Sequence, residues 1–335
     1  VPAFDFDAAF RARPVILAPM EDVSDAAFRQ VCRARGATLC VTEFVNVEGL
    51  LRGAKDAAHK IELLPGDQPT AIQIYGADAP RLAEAAEVAQ RSEPAYIDIN
   101  CGCWVPKIAR RGAGAGWLRD PAAMVAMAKM VVERVAPMPV TVKTRIGWGP
   151  ESEMPIIDLA RRLEDVGVRA LTIHCRTAQM GHTGSADWTW AKKARDVVSM
   201  PVIVNGDVRS AEDALASLTS TGAAGAMVGR HANDHPWIFR EARSLIDHGV
   251  TLAPPSPAER LSLCREHLRL AAEERGALRA VRMLRRHWPG YLRGLHEGAA
   301  LRRTLNATDD LDATLEHFER FEAQLGERHA ERSGT

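Results

Sequence analysis

Residues 201–230 read PVIVNGDVRSAEDALASLTSTGAAGAMVGR, and this stretch decides the fold. A run of branched apolar residues, Val202 to Val204, stops near Gly206, as a short buried strand does. Ser210 then stands before Ala-Glu-Asp, the composition of a helix start, and the amphipathic segment that follows stops at Gly222. A second apolar run begins at Gly225. Strand, helix and strand at this spacing make a parallel unit, because parallel neighbours need a crossover long enough to hold a helix.

The same alternation runs outward through the chain. Strands are expected over 15–20, 38–45, 70–76, 96–102, 139–147 and 170–177, with amphipathic segments such as DAPRLAEAAEVAQ and IIDLARRLEDVG between them. With 201–208 and 225–230 they make eight β–α units, which fits an α/β fold of the (β/α)8, or TIM, barrel type. An open doubly wound sheet would place a glycine fingerprint after its first strand. Here that strand runs into APMEDVSD, which has no glycine.

The domain bounds expected are a barrel over 1–250, a linker over 251–256 within the proline-rich LAPPSP, and an all-helical domain over 257–335. The chain has 335 residues, 46% of them hydrophobic, enough for a large core. Its 43 basic and 43 acidic residues balance, so no overall field points to a polyanion. The balance breaks down locally in the C-terminal helical segment. From Arg260 to Arg303 the helical segment carries eleven arginines, including Arg285 and Arg286, against four glutamates and no lysine. Such a run is either a solvated face or a footprint for phosphates, and arginine forks suit phosphate oxygens. The six cysteines sit mostly in apolar runs, as reduced buried thiols do. No signal-peptide pattern appears and no apolar run is long enough to span a membrane, so a cytoplasmic protein is expected; a monomer is the expected form.

In a barrel the chemistry sits at the C-terminal strand ends. The polar residues expected there are Pro19-Met20, Gln73, Asn100 with the cysteines, Lys143 and Arg145, His174 and Arg176, Asn205-Gly206-Asp207, and Gly229-Arg230. NGDVRS and GRHAND, each running from a strand end into a helix, suit a phosphate cradle. No Walker loop and no GxGxxG follows a strand, which points away from NTP and dinucleotide sites and towards a mononucleotide such as FMN. Lys143 suits the edge of an isoalloxazine where negative charge grows on reduction, Gln73 its pyrimidine edge, and Pro19-Met20 its face.

These residues together resemble a family, the FMN-dependent tRNA-dihydrouridine synthases. LAPMEDVSDAAFR, AIQIYGADAPRLAEAA, DINCGCWVPKIARRGAGAGWLRDP, VTVKTRIGW, LTIHCRTAQMGHTGSADW, VIVNGDVRSAEDA and AMVGRHANDHPWIF each resemble a family motif, in order. RRHWPGYLRGLHEGAALRRTLN resembles the family's tRNA-facing helical domain. The resemblance implies reduction of uridine in tRNA to 5,6-dihydrouridine, with FMN as cofactor and NADPH as reductant. It implies that Gln73, Lys143, His174, Asn205, Gly206, Asp207, Gly229 and Arg230 hold FMN, that Cys103 is catalytic, and that Asn100, Lys107 and Arg176 lie near the substrate. Arg145, Arg285 and Arg286 join them as expected RNA contacts.

Saturating the C5–C6 bond of uracil needs a hydride at C6 and a proton at C5, and a thiol that is mostly protonated near neutrality can supply the proton. Cys101 and Cys103 supply two ligands with no second pair nearby, so a zinc site is not expected. Two cysteines two apart on an extended strand are also badly placed for a disulfide. Cys101 is expected to pack and Cys103 to react. Trp104 departs from the family pattern, which has proline there, and could stack on a base or pack under the loop. Other readings of the same residues are an FMN barrel acting on a free pyrimidine, a catalytically silent tRNA-binding protein, and an aldolase using Lys143 as a Schiff base.

Overall fold

The structure is a computed structural model that describes residues 4–149 and 154–333, with side chains described as far as 326. The extreme ends of the expected domain bounds, 1–3 and 334–335, lie outside the described residues. The strands are β1 (Val15–Leu17), β2 (Leu39–Val41), β3 (Val45–Asn46), β4 (Thr70–Tyr75), β5 (Ile97–Cys101), β6 (Val140–Arg145), β7 (Ala170–His174), β8 (Val202–Asn205) and β9 (Gly225–Val228). All pairings are parallel, in the order β2-β1-β9-β8-β7-β6-β5-β4-β3. Strand β4 takes β2 along its first half and β3 along its second, so the sheet closes into a barrel.

The single strand expected over 38–45 is therefore two pieces sharing one place in the barrel. Thr42 makes the break. Its amide still donates to Ala71 O (2.9 Å), but its hydroxyl, not a carbonyl, accepts the next rung from Gln73 N (3.1 Å). Strand β1 also ends earlier than expected. Ala18 N keeps one bond to Val228 O, then Pro19 has no donor and Met20 N turns to Ser24 Oγ (2.9 Å).

Alternation along each strand sorts the side chains. Val140 and Val142 of β6 join the apolar shell under the helices, whereas Thr141, Lys143 and Arg145 point the other way, into the barrel. Low in the barrel, Ile16, Leu39, Ala71, Ile203 and Met227 form a separate cluster with Phe6, Phe10 and Tyr96. The helix Phe6–Arg11 thus plugs the N-terminal end, with Phe6 and Phe10 ring centroids 4.7 Å apart and Tyr96 edge-on to Phe6 at 5.6 Å. Only the C-terminal end remains open.

Residues 251–256 are coil, and helices Pro257–Arg275, Ala277–Leu284, Trp288–Tyr291, Gly298–Ala307 and Leu311–Ser333 follow. Ser256 and Glu259 form a capping box with Pro257 in the first turn. The long helix lies against Ala26–Arg33 of the barrel. Phe28 stacks on His267 at 5.5 Å, Arg35 pairs with Glu266 (2.8 Å), and Ala27 N donates to Glu274 (2.7 Å). Glu274 also meets His59 and Arg275, each at 3.0 Å. No helix among the described residues is long and apolar enough to cross a membrane.

Candidate active site

A chain of buried polar groups rises through the barrel and ends at the cysteine loop. Thr141 and Gln73 both donate to the Asp98 carboxylate. The Gln73 Oε1 accepts from Asn100 Nδ2 (2.8 Å), and Asn100 Oδ1 in turn accepts the amides of Gly102 (3.1 Å) and Cys103 (2.9 Å). Burial pushes the Asp98 pKa up, opposed by those two donors. The strand ends pass their rigidity to the loop in this way, since every inward amide orients the next. Gly114 fits against the same loop. A Cβ there would sit 2.7 Å from Cys103 O and 3.1 Å from Cys103 Cβ, and its φ is +56°.

The loop forms one wall of a cavity of about 590 Å³ at the open end. Cys103 is half-buried on this wall, and Cys101 is buried outside it. Burial raises both thiol pKa values, so Cys103 stays a protonated acid near neutrality. Lys143 lines the cavity, and its amine has no hydrogen bond or ion pair among the described residues. Burial, then Arg145, brings its pKa down to about 8. His174 is held neutral by burial and by the cations Arg145, Lys143 and Arg176.

At the far end stand Asn205, Gly206, Asp207, Gly229 and Arg230. Asn205 Nδ2 donates to Met227 O (2.9 Å), tying β8 to β9. A Cβ on Gly206 would lie 2.8 Å from His174 Cδ2 and 2.9 Å from Ala186 Cβ, with φ at +105°, so glycine is required. The guanidinium of Arg230 is exposed and has no hydrogen-bond or ion-pair partner among the described residues. Asp207 is taken up by Arg176 (2.6 Å), Arg209 (2.6 Å) and Ala186 N (2.7 Å). Slight burial works against these bonds, which nonetheless hold its pKa at about 2.

Thirteen of the residues expected at the site line this cavity: Pro19, Met20, Asn100, Cys103, Lys143, Arg145, His174, Arg176, Asn205, Gly206, Asp207, Gly229 and Arg230. Four others lie elsewhere. Gln73 sits beneath the floor, with both ends of its amide engaged by Asp98 and Asn100. Lys107 is exposed on the short helix Pro106–Ala109, off the cavity wall. Arg285 donates to Asp309 (2.6 Å) and Thr308 O (3.0 Å), and Arg286 to Asp22 O, so both hold helices or loops together. Within the wall, Arg145 and Arg176 also spend their donors on backbone. Arg145 reaches Gly102 O (2.9 Å) and Thr177 O (2.8 Å); Arg176 reaches Thr183 O (3.1 Å) and Gly184 O (2.8 Å). Sequence reasoning missed Phe44, His182, Arg209, His231 and Asp234, which also line the cavity. The histidine-bearing GHTG and RHANDH stretches after two strands were the available signal.

A closed parallel barrel with a polar cavity at its strand ends, an unpaired lysine and a protonated thiol define a (β/α)8-barrel enzyme. The same barrel is found in morphinone reductase in complex with tetrahydroNAD, at a TM-score of 0.50 and 14% identity over 73% of this chain and 89% of that one. Residues 16–325 match the dihydrouridine synthase family. Curated relatives include the probable tRNA-dihydrouridine synthase 1 of Synechocystis, 36% identical over 87% of this chain and 81% of its own length. The tRNA-dihydrouridine synthase B of Pectobacterium carotovorum is 36% identical and that of Escherichia coli K12 35%, each over 92% of this chain and 95% of its own. The chain belongs to the dihydrouridine synthase family.

Proposed function

We propose that this chain reduces uridine in tRNA to 5,6-dihydrouridine, with FMN in the strand-end cavity, NADPH as reductant and Cys103 as proton donor. The observation that carries the reading is the state of Cys103. Its thiol is kept protonated by burial, its amide is fixed by Asn100, and it shares a cavity with an unpaired lysine.

The residues present fit a flavin mononucleotide. The cavity of about 590 Å³ lies in the range of cofactor pockets. Gly206 and Gly229 add no side chain of their own to the far end, and Arg230 offers an unpaired fork for a phosphate. Lys143 is a cation awaiting an anionic partner, as the edge of a reduced ring would be. FMN bound there would supply the hydride chemistry, with NADPH as its reductant. The protein's share is to hold and aim. Asn100 fixes the Cys103 amide, and Arg145 ties the loop on which it sits. The thiol gives its proton to C5 of the uracil as the hydride arrives at C6. The thiolate left behind then recovers a proton from solvent, so atoms and charge balance.

The test uses tRNA lacking dihydrouridine, NADPH and the flavin-loaded enzyme, with nucleoside mass spectrometry of the digested tRNA. Dihydrouridine should form with the parent chain and not on free uridine. Equal turnover of free uridine would sink the tRNA reading.

A further inference from the structure

Trp104 follows the thiol directly, and its side chain reaches across the cavity mouth to the loop after β7. The indole N–H donates to His182 Nε2 at 3.4 Å, and the two rings meet edge to face with centroids 5.5 Å apart. Gly181 is the platform beneath. A Cβ there would sit 3.3 to 3.4 Å from three atoms of the indole, and its φ of +57° also favours glycine. The loop that carries His182 is itself rigid. Arg176, paired with Asp207, donates to the carbonyls of Thr183 and Gly184, and Met180 O accepts from the Thr183 amide (2.8 Å). Arg145 bridges the two loops lower down, through Gly102 O and Thr177 O.

We propose that Trp104 and His182 are positioning residues for Cys103. Their contact latches the thiol-bearing loop to the loop after β7 and so sets how far the thiol can reach. Asn100 Oδ1 accepts the Cys103 amide, the Ala115 amide donates to Cys103 O, and Val105 turns its amide to the thiol and its carbonyl to the helix that follows, all on the near side of the cavity, so a second anchor has to come from across the mouth. The latch supplies that second anchor. It needs a neutral imidazole whose Nε2 accepts, and the ring meets that need. Burial and the cations Arg230, Arg145, Arg176 and Lys143 around it hold its pKa at about 4. The purpose given to the latch rests on the proton-donor reading of Cys103; the latch itself does not.

The experiment measures iodoacetamide alkylation of Cys103 in the purified full chain, peptide by peptide, with melting curves to confirm folding. The other five cysteines are buried, so the signal belongs to Cys103. Trp104→Ala and His182→Ala should each speed alkylation by roughly threefold to tenfold, the worth of one edge-to-face aromatic contact. The double variant should be no faster than either single one, because both remove the same contact. His182→Gln, which keeps an acceptor, should recover most of the parent rate, and Trp104→Phe, which keeps a ring on Gly181, should fall between. Should Trp104→Ala fail to fold, His182→Ala, His182→Gln and Trp104→Phe still decide. In single-turnover reduction of tRNA, the alanine variants should lower the rate while leaving KM unchanged. Alkylation rates equal to the parent's, or additive effects in the double variant, would overturn the latch. Faster alkylation together with full activity in Cys103→Ala would overturn the proton-donor role and leave the latch standing.

Discussion

Cys101 and Cys103 stand two positions apart, yet their surroundings make them different groups. Cys101 closes β5 inside the apolar shell; Cys103 lies past the strand end on the cavity wall. Cys103→Ala should lower dihydrouridine formation by about 10²- to 10⁴-fold, the usual share of a general acid, whereas Cys101→Ala should leave it within a few fold. Equal losses in both, read by tRNA mass spectrometry, would refute the assignment. Gly114 belongs to the same scale. Gly114→Ala puts a methyl against Cys103 O and strains a left-handed turn, so activity should drop with little change in the melting of the barrel. Lys143 sets a pH limit. Its charge is present below a pKa of about 8 and lost as pH rises through it, so affinity for the anionic cofactor should fall on the alkaline side from about pH 8. Lys143→Arg should move that limb upward. A flat affinity profile from pH 7 to pH 9 would remove Lys143 from cofactor binding.

At the scale of elements, joints matter more than lengths. A hydroxyl splits one expected strand in two, because Thr42 offers Gln73 an acceptor where the ladder would place a carbonyl. The end of β8 joins the helix Ala211–Thr221 through Gly206 and Asp207, and both have positive φ. Ser256 starts the long helix with a capping box. Ser256→Ala should destabilise the protein by about 1 kcal/mol, seen in denaturant unfolding, without touching the site. An unchanged midpoint would show that docking against the barrel, rather than the cap, sets this helix.

On the scale of the molecule, the helical region is fastened to the barrel by buried groups. His267 and His287 lie 4.7 Å apart near Phe28, and burial depresses both pKa values, His287 to about 4. Unfolding frees them to bind protons near their ordinary value of about 6.5. Their contribution is therefore complete above about pH 6.5 and lost as pH falls towards about pH 4. The melting temperature should decline across that window, and less steeply in His267→Phe. Identical slopes in parent and variant would assign the decline to other groups. The arginine-rich stretch is more engaged than a count suggests. Arg265, Arg275, Arg282, Arg285 and Arg293 all have acidic partners. Arg269, Arg279 and Arg303 are exposed and have no ion pair among the described residues, so these carry the expectation of a phosphate-facing surface.

Periodicity and punctuation determined the barrel, the helical C-terminal region and most of the residues on the cavity wall. A strand end followed by polar residues can be read locally, because alternation and loop position are properties of a short segment. The expectation that Cys103 rather than Cys101 reacts came from the family resemblance, and the structure places Cys101 at the end of β5 and Cys103 past it on the cavity wall. Tertiary structure alone decided what the polar side chains spend their bonds on. Gln73, Arg145 and Arg176 are dense in donors and sit where the sequence places a site, yet their partners come from residues 25 to 43 positions away, or from loops whose course no local pattern records. The fate of Trp104 was settled in the same way, since the imidazole and the glycine that receive it lie on another strand's loop.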